Sequence, residues 1–292
     1  MSSASAAPPL AAARSASRPR RPGTASVYRW EMRKLAAQKR TYLGFVLASI
    51  IPVVFVVVEN VHQQNGHRDN IFAREITQSG LATPVLMLLF LSVFMLPVVA
   101  ALVAGDIVAN EDGNGTLKTI LTRSVDRGQV IAAKALAAMT YATMAVFLSA
   151  AVATIAAVAS WGFKSLTTFS GTVVSAPKAL LLVFAANTFY LIPLLAVVSI
   201  GVLLSTVTRN SAAAVVGTIG FVILVLIVGQ IPGLEGLHPY LLNEQFQAWQ
   251  GLLRTPTYWA PILHSLWVCA LYAVPSLFAA YLVFLRRDVA GG

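Results

Sequence analysis

Residues able to do chemistry are few in this sequence, and their spacing narrows what they could do. Asp106, Glu111 and Asp112 are the only acids gathered at the edge of an apolar run. A lipid-modifying enzyme of the membrane would need such acids beside histidine or cysteine at metal-ligand spacing. None stands near them, and His62, His67, His238 and His264 are scattered without ligand spacing, so no metal site is expected. Cys269 is the single cysteine, which excludes an intrachain disulfide or a Cys-rich metal site. The stretch Gly113-Asn-Gly115-Thr116-Leu117-Lys118-Thr119 ends in Lys-Thr as a phosphate-binding loop does. The glycine that such a loop needs before its lysine is Leu117 here, and no strand precedes it. We therefore expect no catalytic residue, no cofactor bound by this chain and no nucleotide site.

The same segment, 106–134, suits docking better than catalysis. Gly113 and Gly115 allow a tight turn, and Thr116 is placed to cap a short helix. Leu117, Ile120 and Leu121 then share one face of it. Asp126 followed by Gln129 has the spacing of a capping box opening the next helix. Such a helix fits a partner outside the membrane, or else it is a connector lying on the lipid surface. Spacing alone does not choose between the two.

The elements that carry this segment are membrane spans. Of 292 residues 57% are hydrophobic and 11% charged, against about 25% charged in a soluble domain, so lipid must cover the excess. The formal charge of +10 does not mark a nucleic-acid binder, because the basic residues flank apolar runs and are not gathered into a reading surface. Spanning roughly 30 Å takes about 20 apolar residues, and six runs qualify: 41–58, 81–105, 135–160, 179–204, 212–229 and 262–285. Small residues crowd the third (Ala135, Ala137, Ala138, Ala142, Ala145) and predict close helix packing. Residues 1–26, rich in Ala, Ser, Pro and Arg, read as a disordered tail, with an organelle transit peptide as the alternative. Residues 27–40 read as a helix in the headgroup plane. Leu35, Tyr28, Met32 and Ala36 would form its apolar arc and Arg29, Arg33 and Arg40 its basic stripe. Nine Lys and Arg precede the first span. With the N-terminus inside, that side holds sixteen basic residues and the other five (Arg68, Arg74, Lys164, Lys178, Arg254), which predicts both termini in the cytoplasm.

No run contains Asp, Glu, Lys or Arg, and none reads as broken, which argues against a secondary carrier. Asn187 and Thr188 are the best polar candidates for lining a path, although an interhelical hydrogen bond explains them as well. Residues 231–260 form an apolar outer stretch holding Leu241, Leu242, Phe246, Trp249, Leu252 and Leu253, too greasy for an ordinary surface loop.

The pattern Glu111-x-x-x-Gly115-Thr116-Leu117, followed by Ile120-Leu121, Arg127 and Lys134, resembles the signature of ABC-2-type transporter permeases. The plan of a helical N-terminus, six spans and an apolar outer segment resembles that family across about 27–288. Lys118 and Ser124 depart from it, where an acid and a proline are common. The resemblance implies an all-α membrane protein with six transmembrane helices (41–288), an N-terminal interfacial amphipathic helix and an ABC-2-type exporter fold. It implies a permease subunit of an ATP-driven exporter in the bacterial plasma membrane, with no chemistry of its own. Glu111, Gly115, Thr116, Leu117, Ile120, Leu121 and Arg127 would couple the 106–134 loop to a separate ABC ATPase subunit carrying ATP and magnesium. A second six-span permease, identical or related, would complete the path, and 231–260 would re-enter the outer leaflet. The rival readings are a passive channel or secondary carrier without an ATPase and, further off, an intramembrane lipid-modifying enzyme.

Overall fold

The computed structural model describes residues 23–64, 78–113 and 126–286. Gly113 ends one described stretch and Asp126 opens the next, so Gly115, Thr116, Leu117, Ile120 and Leu121 lie outside the described residues.

The first helix, α1 (Thr24–Ala37), stops where Gln38 takes an extended conformation. α2 (Lys39–Gln64) follows at once. Arg40 therefore belongs to α2 and not to a basic stripe shared with Arg29 and Arg33, because the helical phase is interrupted at Gln38. The inward face of α1 is Val27, Glu31 and Leu35, an i, i+4, i+8 row. Tyr28 and Met32 are half-buried beside it, and Ala36 is exposed.

The second apolar run departs from the sequence reading. It is two helices, α3 (Ala82–Leu91) and α4 (Met95–Ala104), and the chain bends by 62° between Ala82–Leu91 and Met95–Gly113. Phe94 lies outside the helical region at φ −127°, ψ −53°, and Pro97 has no N–H to return to residue 93. Breaking a helix in an apolar interior strands a carbonyl. Here the Tyr190 hydroxyl donates to the Ser92 carbonyl at 2.9 Å, and Tyr190 is buried. The expectation of unbroken spans fails at this point.

After the short α5 (Ala109–Gly113) comes α6 (Arg127–Trp161), 35 residues long. At 1.5 Å per residue it measures about 50 Å, more than a bilayer core requires. Its Ala135, Ala137, Ala138, Ala142 and Ala145 are all buried, as their small size predicts. A two-residue hairpin, β1 (Leu166–Thr167) with β2 (Val173–Val174), turns the chain back. Next are α7 (Ala176–Thr208) and α8 (Ser211–Val228), joined only by Arg209 and Asn210. Arg209 adopts the left-handed conformation at φ 56°, and the Asn210 side chain accepts from Ala213 N at 3.1 Å to cap α8. Two 3₁₀ turns (Glu235–Tyr240 and Ala248–Leu253) flank the short α9 (Leu242–Gln245). α10 (Ala260–Leu285) closes the described chain.

Five helices are long and apolar enough to cross a membrane, six if α3 and α4 make one span. The fold among the described residues is thus all-helical but for the small hairpin, and a multi-pass membrane protein is plausible from these spans. α7 is the central post, 61% buried over its apolar window against 22% for α8 and α10. Backbones approach closely where α4 ends on α8, since a Cβ on Gly105 would lie 2.8 Å from the backbone of Val215. In the 231–260 stretch Leu242, Phe246, Trp249, Leu252 and Leu253 are buried within the protein, where the stretch packs mainly on α7 and α10, whereas Ile231, Leu237, Tyr240, Tyr258 and Trp259 are exposed.

Candidate functional site

The polar centre of the molecule lies at the end of the bundle that carries α1, where the chain leaves for residues 114–125. α1 lies against α6, held by Tyr28 Oη and Thr140 Oγ1 at 2.9 Å. This places Glu31, in the middle of the inward face, opposite Lys134 near the start of α6. Lys134 is fully buried. Its Nζ donates to Glu31 Oε2 at 3.1 Å and to the Ile107 carbonyl at 3.1 Å, and pairs with Glu111 Oε2 at 2.7 Å. Two hydrogen bonds and a close ion pair thus surround the ammonium.

Lys34 closes the circuit. Its Nζ donates to Glu31 Oε1 at 3.2 Å, pairs with Glu111 Oε1, and sits 3.5 Å from the Trp30 ring centroid, a cation–π contact. Two carboxylates and two ammoniums thus alternate and sum to zero. Burying a lone ammonium costs several kcal/mol, and here each charge has two opposite neighbours. Burial raises the Glu111 carboxyl, but Lys134 and then Lys34 outweigh it and hold the group below its ordinary range.

A second layer fixes the same end. Arg40 on α2 pairs with the buried Asp106, which also accepts from the Ser211 hydroxyl at the start of α8. Ser205 Oγ on α7 accepts from Val108 N at 3.1 Å and Ala109 N at 3.0 Å, satisfying donors that open α5. Arg209 Nε lies 3.8 Å from Asp112 Oδ2. Arg127 Nη1 donates to the Leu285 carbonyl at 3.0 Å, a cation at the negative end of α10. Asp126 caps α6 by accepting from Gly128 N at 3.4 Å, one residue short of the Gln129 bond that a capping box makes.

Of the residues singled out in sequence, Glu111 sits inside this network and Arg127 beside it, on either flank of 114–125. The structure does not bring Asn187 and Thr188 together. Asn187 faces inward, donates to the Val183 carbonyl at 2.8 Å, and lines a cavity of about 10 Å3 beside the α3–α4 break, room for about one water. Thr188 is exposed on the outside of the bundle and donates to Phe184 O at 2.9 Å. Sequence reasoning missed the pairing of Glu31 with Lys134. The signal was a lone acid on the apolar arc of an otherwise basic helix, which calls for a buried cation.

The family described as "Protein of unknown function (DUF2705)" matches residues 45–290, most of the chain, and the chain belongs to it. No curated protein matches.

Proposed function

We propose that this DUF2705 member is the permease subunit of an ATP-driven ABC exporter, coupled through the 106–134 loop to a separate ATPase subunit. One observation carries the reading: both flanks of the 114–125 segment are tied to α1 through a single buried ion-pair network, Glu31–Lys134–Glu111–Lys34. A push on that segment reaches α1 through Glu111 and Lys134 together, and reaches α6 along its own backbone. That rigidity is what a docking segment needs if a partner's movement is to shift spans and not merely bend a loop. The partner binds ATP with magnesium and this chain performs no chemistry. A second six-span copy or relative completes the path. The resemblance of Glu111, Gly115, Thr116, Leu117, Ile120, Leu121 and Arg127 to the ABC-2 signature supports the same reading.

The test targets Leu117 and Leu121. Each buries a side chain worth ~1.5–3 kcal/mol in the ATPase, so Leu117→Asp with Leu121→Asp lowers association by orders of magnitude. The expected variant inserts normally, fails to co-purify with an ABC ATPase and no longer stimulates ATP hydrolysis. Normal co-purification and stimulation by the double variant would remove the coupling role.

The broken second span favours a different reading, since discontinuous helices near mid-membrane are a feature of secondary carriers. Transport into proteoliposomes that persists with an ion gradient and no ATPase would establish that alternative and displace the exporter.

A further inference from the structure

At the end of the bundle opposite the ion-pair network, the 3₁₀ turns and α9 meet the start of α10 around an open cleft of about 450 Å3. That is within the size range of small-molecule sites. Its walls are built, not loose. His264 Nε2 lies 2.8 Å from the Pro239 carbonyl, and Trp267 Nε1 donates to His264 Nδ1 at 3.2 Å. Indole N–H only donates, so Nδ1 is the acceptor and Nε2 carries the proton. Both ring nitrogens are engaged, and His264 offers the cleft a neutral ring. The Gln245 amide nitrogen donates to Pro239 O at 2.7 Å and Leu241 O at 3.1 Å. Two carbonyls around that atom fix the amide orientation. Gln245 is 4% exposed, and what it has left to offer is its carbonyl oxygen.

The remaining lining completes an acceptor-rich site. Glu244 carries the only full charge among the described residues lining the cleft. Tyr258, anchored through its N–H to Gly251 O at 3.0 Å, adds a hydroxyl and a ring face. Gln247 is the exception, because its carbonyl oxygen already accepts from Gln250 while its amide protons remain to donate. One carboxylate, one buried amide oxygen and one phenol ring together match a group that is positive and donates hydrogen bonds. We propose that this cleft binds the protonated amine of a cationic amphiphile, with Glu244 as its counter-ion, Gln245 Oε1 as a hydrogen-bond acceptor and Tyr258 against the ammonium. A neutral head lacks the charge that Glu244 would pair, and an anionic head would meet that carboxylate with like charge.

The proposal concerns this chain alone, so its test needs no ATPase, and its failure leaves the exporter reading where it stood. The full chain in lipid nanodiscs is titrated with N-dansylcadaverine, a fluorescent primary ammonium. Dansylamide and dansyl-6-aminohexanoate serve as the neutral and anionic counterparts that partition into the same lipid. Saturable binding of the ammonium probe alone is expected, weakened roughly tenfold by Glu244→Gln and by added salt. Glu244 is exposed, so the substitution leaves the fold intact, and equal thermal unfolding of the variant verifies this. Absence of saturable binding, equal binding of the anionic probe, or unchanged affinity in Glu244→Gln would each overturn the site.

Discussion

Lys134 is buried among Glu31, Glu111 and the Ile107 carbonyl, and removing it leaves two carboxylates sharing the single ammonium of Lys34. Lys134→Met is expected to cost about 3 kcal/mol, the lower end for breaking a buried pair, because Lys34 still reaches both acids. Thermal unfolding in detergent reads the loss. Adding Glu31→Gln to that variant should recover part of it, since the stranded charge is then gone. Strictly additive effects of the two substitutions would mean the pair is uncoupled. Protonation of Glu111 tests the same network by pH. Its folded pKa lies below the ordinary 4.5, so its contribution is complete above that value and is lost as pH falls through the folded value. Glu111→Gln should remove that acid limb of the stability profile and leave neutral pH dependence unchanged. Glu111 was legible in sequence as part of a motif. Its partners were not, because Glu31 and Lys134 stand 103 positions apart, and only the packing of α1 on α6 makes them neighbours.

Hydropathy located the spans because burial in lipid is a property of composition: α2, α6, α7 and α10 each contain one of the apolar runs read in sequence, and α8 covers 212–229 up to Val228. The α3–α4 break was hidden for the same reason. Residues 81–105 are apolar throughout, and what makes a break tolerable is Tyr190, supplied from another helix. Tyr190→Phe keeps the ring and removes the donor, so the Ser92 carbonyl loses its partner. A loss of about 1–3 kcal/mol is expected, measured as a lower unfolding midpoint, while Thr188→Val on the exposed side of the same helix should change little. If both substitutions are equally mild, the hydroxyl does not hold the break. The greasy stretch 231–260 was legible as something other than a loop. That Leu242, Trp249, Leu252 and Leu253 are buried against the protein required the structure, since an apolar run looks the same whether lipid or protein covers it.

The described chain has two unlike ends. One gathers α1, the Glu31–Lys134 network, Arg40 with Asp106, Arg209 with Asp112, and Arg127 against the end of α10. The other holds the hairpin, the 3₁₀ turns and the cleft at His264, with Lys164 and Arg254 on that side. The sixteen-to-five division of basic residues in the sequence therefore follows a physical axis of the bundle wherever the chain is described. Positively charged ends resist translocation and meet anionic lipid on the cytoplasmic side, so the end carrying α1 is expected in the cytoplasm. A reporter that works only in the cytoplasm should be active when fused after Gly292. One that works only outside should be active near Thr168, in the hairpin turn where Thr168 N donates to Thr172 O at 2.9 Å. Both signals reversed would invert the molecule, placing the ion-pair network outside and beyond reach of any ATPase. Matching signals at the two sites would instead mean an even number of crossings between Thr168 and Gly292, so that one of α7, α8 and α10 does not span.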